Sequence, residues 1–207
     1  MPPERLPMKT DNLQKYLNPS AIIDCDHPDV ARTAKELAAG SVTASGTARR
    51  CFEFVRDNIR HSYDYRMNPV TLRASDVLAH RTGYCYAKSH LLAALLRANG
   101  IPAGLCYQRL LLEEFGVHCL HGLNAVYLPG TGWYRADARG NKEGVDAVFS
   151  PPEERLAYRA DKKGEMTLPG IWAEPLPSVI DVLSKHDNYL DVRKNLPDID
   201  PVMIPAP

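Results

Sequence analysis

A chain of 207 residues is long enough to bury a core of its own, and 25 basic against 25 acidic residues exclude the positive surplus of a nucleic-acid binder. No segment approaches the length of a membrane span and the N-terminus lacks the apolar stretch of a signal peptide, so a soluble cytoplasmic protein with no membrane partner is expected. Five cysteines, an odd number with no CxxC pair, argue against a secreted disulfide scaffold.

In chain order, residues 1–28 read as irregular, with a short helix near 12–17. A helix is predicted over 28–39, with Pro28 in its first turn, where a missing N–H costs nothing. A second follows over 44–59, where Cys51, Phe52, Val55 and Ile59 recur on one face. Residues 61–65 read as a connector and 74–78 as a short helix. The next helix starts at Cys85, with Leu91, Leu92, Leu95 and Ala98 on one stripe. Gly100 stands where a left-handed cap belongs and Pro102 where the helix must stop. Strands are predicted over 105–111, 119–128 and 133–138, the last two joined by the turn Pro129-Gly130-Thr131-Gly132. Further helices are predicted over 153–158 and 178–190, with an extended tail from Leu196 to Pro207. Helices followed by an antiparallel sheet make an α+β arrangement. One domain is expected over 1–207: a helical segment 1–43, a core 44–142 and an extension 143–207.

Cys85 is the residue with chemistry in it. A thiol in the first turn of a helix faces unpaired N–H groups and the positive end of the helix dipole, both of which favour the reactive thiolate. Such a nucleophile needs a base for its proton and a third group to orient that base. His121 in the second strand and Asp137 in the third supply both. The stretch His118-Cys119-Leu120-His121 also suggests zinc, but histidines three apart on a strand point to opposite faces, so no metal site is expected, and no cofactor motif is present.

These residues resemble a family. Gly83-Tyr84-Cys85, the leucine-rich helix ending in Arg97-Ala98-Asn99-Gly100-Ile101-Pro102-Ala103, His121 ahead of Val126-Tyr127-Leu128, and Trp133-Tyr134-Arg135-Ala136-Asp137 are similar to the transglutaminase-like core, a branch of the papain-like cysteine enzymes. The resemblance spans residues 74–141 and extends more loosely over 20–160. It implies a nucleophile helix packed on an antiparallel sheet, with nucleophile Cys85, general base His121 and orienting carboxylate Asp137. Two positions depart from the family's commonest pattern. Leu123 replaces an aromatic residue, which is expected to alter the wall of the substrate channel. Asp137-Ala138-Arg139-Gly140-Asn141 replaces Asp-Pro-Thr, and Arg139 and Asn141 are candidates to touch substrate.

The triad sets a geometric condition. Pairing Leu128 with Trp133 would send His121 and Asp137 to opposite faces of the sheet, because one residue of register reverses every side chain. Tyr127 is therefore predicted opposite Trp133. The Cys85 N–H is a candidate oxyanion donor, with Tyr63 and Tyr65 as candidates for a second. Tyr84, Tyr86 and Trp133 are expected to wall the cleft. The implied activity is attack on an amide of a peptide, protein or small molecule through a thioester acyl-enzyme, with hydrolysis favoured over transamidation. Two alternatives remain. Arg81-Thr82-Gly83-Tyr84-Cys85 faintly resembles the arylamine N-acetyltransferase motif, and the same fold can serve as a non-catalytic binding or scaffolding module.

Overall fold

The computed structural model describes residues 10–204, so the expectations for 1–9 and 205–207 lie outside the described residues. A 3-10 helix, Thr10–Tyr16, takes the place of the short helix expected there. Helix α1, Pro28–Ala38, starts on Pro28, and the His27 side chain accepts the Asp29 N–H. Helix α2, Ala44–Asn58, is capped by Thr43, whose hydroxyl accepts the Gly46 N–H.

The expected connector at 61–65 is instead structured. Strand β1, Arg60–His61, pairs in parallel with β2, Thr82–Gly83, and one helical turn, α3 (Ser62–Tyr65), follows it. Between them lies α4, Ala74–His80. Two residues are too few for a periodic signal. The pair forms because the Thr82 hydroxyl bridges the Arg60 carbonyl and the Ser62 hydroxyl across 20 residues of chain.

Helix α5, Cys85–Ala98, is buried on every side from Cys85 to Arg97, so the expected single stripe understates its burial. It packs against α1, α2 and α4 on one side and the sheet on the other. Full burial of Leu91, Leu92, Leu95 and Leu96 contributes about 1.5–3 kcal/mol each. Gly100, at φ 70°, closes the helix as its sequence predicts.

The sheet contains β3 (Ala103–Leu112), β4 (Val117–Leu128), β5 (Gly132–Ala136) and β8 (Met166–Thr167), antiparallel in the order β5-β4-β3-β8. Tyr127 stands opposite Trp133, the register the triad required. Strand β5 ends at Ala136, opposite Asn124, so Asp137 lies just past the strand rather than within it.

Two expectations for the C-terminal part are corrected. The helix expected over 153–158 is a hairpin of β6 (Val148–Ser150) and β7 (Glu153–Arg155). The Glu154 carboxylate binds the Arg135 N–H and guanidinium, pinning β7 to β5. The single helix expected over 178–190 is two, α6 (Pro177–Lys185) and α7 (Tyr189–Lys194). Asn188 breaks it by capping the Leu190 and Asp191 N–H groups. The tail carries a 3-10 turn, Pro201–Met203. Val179, Val182, Leu183 and Val192 join the main core.

Candidate active site

Cys85 is the first residue of α5. Tyr84 occupies the N-cap position without a capping side-chain bond, because its hydroxyl donates to the Tyr189 carbonyl at 2.6 Å. The Cys85 N–H is thus one of the helix-start donors that no cap engages. The Tyr86 hydroxyl binds the Leu120 carbonyl, and Asn124 Nδ2 donates to the Ser89 carbonyl at 2.9 Å. Together these fasten the start of α5 to β4.

Gly122 makes that approach possible. A Cβ there would stand 2.9 Å from the Tyr86 ring and 3.1 Å from Tyr86 Cα. The end of β5 does the rest. Beyond Asn124, β4 has no neighbour on that side, and alternate N–H groups point out of the sheet edge. The Leu120 N–H reaches the Pro197 carbonyl at 2.7 Å, and the Gly122 N–H points at Cys85 Sγ at 3.5 Å. The cysteine thus meets the strand edge-on.

His121 Nε2 and Asp137 Oδ2 are 2.8 Å apart. Asp137, 1% exposed, also accepts the Ala157 N–H at 3.1 Å and the Arg139 N–H at 3.2 Å. With Nε2 engaged by Asp137, Nδ1 is the ring nitrogen left free to face the Cys85 side. Burial pushes the His121 pKa down, but the Asp137 carboxylate and then Cys85 outweigh it and raise it to about 10. Burial opposes ionisation of Asp137 too, yet the facing imidazole and the N–H donors hold its pKa below the usual carboxylate value. The Tyr158 ring meets His121 edge-on at 5.0 Å between centroids.

Cys85 and His121 border a cleft of about 380 Å³, and Asp137 stands behind the imidazole, outside its lining. Tyr84 and Tyr86 line it, where walls were expected; Tyr63, a candidate oxyanion donor, and Arg139, a candidate substrate contact, line it too. Tyr65 does not. It is 56% exposed beneath the Arg60 guanidinium, because the turn of α3 directs it outward. Trp133 is also absent from the cleft, since β5 carries it to the far end of the sheet against Tyr16 and Tyr127. Leu123 is no channel wall, being packed with Tyr16 and Cys106 in a separate apolar cluster. Asn141 binds the Ala147 backbone instead of facing the cleft. His118 turns to the Lys163 carbonyl, and among the described residues no metal-binding group of three side chains forms.

The transglutaminase-like superfamily matches residues 31–138, more than half of the chain. The chain belongs to that superfamily. Among solved structures, a protein from Cytophaga hutchinsonii provisionally called a cysteine protease is 23% identical, with a TM-score of 0.51. The match covers 64% of this chain and 43% of that one, so it shows a shared fold over less than half of the longer protein. The periplasmic domain of TgpA from Pseudomonas aeruginosa is 18% identical over 65% of this chain and 50% of that one, with a TM-score of 0.49. No curated protein matches. Among the described residues, no helix is long and apolar enough to cross a membrane.

Against this transglutaminase-like frame, sequence reasoning missed several cleft residues. His61 comes from the β1–β2 pair, and Tyr158, Arg159 and Arg193 come from the segment after the matched region. Only the run of charge and aromatics around Tyr158 hinted at them. His61 is 7% exposed, with Nδ1 3.7 Å from Asp64 Oδ2. Burial, with Arg139 adding to it, pushes its pKa well below the ordinary histidine value. Asp64 works in the raising direction but is outweighed, and its carboxylate is shared with Arg139 and Lys142.

Proposed function

We propose that this transglutaminase-like protein is a cysteine hydrolase of peptide-like amides, working as one domain with Cys85 as nucleophile, His121 as acid–base and Asp137 as orienter. The observation that carries the reading is the buried His121–Asp137 hydrogen bond at 2.8 Å, with Cys85 and His121 lining one cleft. Cys85 Sγ attacks the amide carbon while His121 gives its proton to the departing amine, leaving a thioester. His121 then takes a proton from water, the hydroxide adds to the thioester carbon, and the acid leaves as Sγ regains its starting state. The free N–H at the head of α5 is aimed to hold the oxyanion. Charged side chains around the cleft admit water, which favours hydrolysis over transfer to an amine. None of the five cysteines is paired, which suits a reducing compartment such as the cytoplasm.

The test is intact-mass analysis after brief iodoacetamide treatment at about pH 6.5, where ordinary thiols are protonated. One fast adduct is expected, absent in Cys85→Ala and slowed in His121→Ala. Incubating the enzyme with a peptide mixture with and without an added primary amine then separates new free acids from amine adducts. Labelling that ignores both substitutions overturns the proposal.

A further inference from the structure

The charges around the cleft are not balanced as those of the whole chain are. Five lysine and arginine side chains line it against three carboxylates. Each carboxylate is already engaged. Asp64 binds Arg139 and Lys142, Glu113 binds Lys162, and Glu165 accepts the backbone N–H groups of Leu111, Asp161 and Lys162. Arg193 is held by Glu114.

Arg159 is different. It is exposed, lines the same cleft, and among the described residues has neither an ion pair nor a side-chain hydrogen bond. Its neighbour Tyr158 packs on the His121 ring, and the segment carrying both is held at the site by the Ala157 N–H bound to Asp137, so Arg159 enters the cleft lining from a backbone anchored to the histidine–aspartate pair. A guanidinium presents a planar fork of donors that matches a carboxylate in two-point contact.

Resting on the hydrolase reading, we propose that Arg159 selects acidic substrates: peptide-like amides carrying a carboxylate close to the scissile bond. Arg139 does not compete for that anion, because Asp64 already occupies its fork at 3.1 Å and closer. Arg193 is only partly engaged, by Nη2 on Glu114, but its Nε is buried; among the described residues of the cleft, Arg159 is the exposed guanidinium that no side chain holds. The surrounding cationic excess draws the anion in, and the two-point contact orients it.

The experiment compares alkylation of Cys85 by anionic iodoacetate and neutral iodoacetamide, reagents of nearly equal size. The ratio of the two rates divides out the thiol's own reactivity and reports the field the anion meets. Arg159→Ala is expected to lower the iodoacetate to iodoacetamide ratio about three- to tenfold at low salt, from the Coulomb energy of one charge at cleft distances. Arg159→Glu should lower it further and Arg159→Lys restore part of it. Arg32→Ala, on exposed α1, should leave it unchanged. Raising salt to about 0.5 M should shrink the difference between wild type and Arg159→Ala. A ratio indifferent to Arg159→Ala and Arg159→Glu overturns the proposal. Slow iodoacetamide labelling throughout would instead overturn the hydrolase reading, and the ratio at Cys85 would still be readable.

Discussion

The cleft has two sides, and each sets a histidine beside an aspartate with opposite results. On the β4–β5 side, Asp137 meets His121 at 2.8 Å, and the imidazole holds its proton to about 10. On the β1–α3 side, Asp64 stands 3.7 Å from His61, and that imidazole is pushed well below the ordinary value and stays neutral. Burial is nearly the same, so burial does not distinguish them. The difference lies in contact and in company: Asp137 hydrogen-bonds its histidine and Cys85 adds to the effect, whereas Asp64 stands beyond hydrogen-bond distance and Arg139 works against it. Asp137 is bound by neutral N–H groups that leave its charge directed at His121, whereas Asp64 is neutralised by Arg139 and Lys142.

Breaking the first pair should have the largest effect. Asp137→Asn is expected to slow iodoacetamide labelling of Cys85 by about 100-fold or more, because the amide stabilises the wrong tautomer and no imidazolium. Asp64→Asn should change that rate by no more than about threefold, since its carboxylate acts mainly on two cations. Equal losses, read by intact mass, would erase the distinction between the two sides.

Gly122→Ala tests the approach that brings α5 to the first pair. The added methyl collides with Tyr86 backbone and ring, so the start of α5 must shift. A loss of about 1–3 kcal/mol in urea denaturation is expected, as for other overpacked sites, together with slower Cys85 labelling.

The smallest effect sharpens the contrast through pH. His121 is raised from 6.5 to about 10, so its stabilising contribution is complete below about 6.5 and lost as pH rises through about 10. Lys88, pushed down to about 7 by burial, works in the opposite sense between about 7 and 10.5, adding stability as pH rises. The His121 contribution is therefore read as a difference. Between about pH 7 and 10, the thermal midpoint of wild type should fall relative to that of His121→Gln by a few degrees. Parallel curves would show that the imidazole gains no proton affinity on folding. Observed by NMR, His121 should remain protonated where His61 is already neutral.

Much of this site was legible from residue pattern. Helix-start placement of Cys85, the Gly100 stop and the strands that carry His121 and lead into Asp137 are local signals, readable over a few residues of chain. The required register also follows from parity alone. Tyr65 and Trp133, by contrast, were aromatic residues of the right type near the right motifs, and neither reaches the cleft. Type says what a side chain can do, but not which way a single helical turn or a twisted strand will carry it.

The sequence by itself determined the family, the order of helices before sheet, and the three residues able to form a proton-handling line. Tertiary structure decided what surrounds them. His61 enters through a parallel pair of two-residue strands, and Tyr158 and Arg159 through a segment fastened by Glu154 and by the Ala157 N–H on Asp137. The physical reason is range. Helix and strand propensities act over a few residues, whereas these contacts join positions 19 or more apart and exist only once the chain between them has closed.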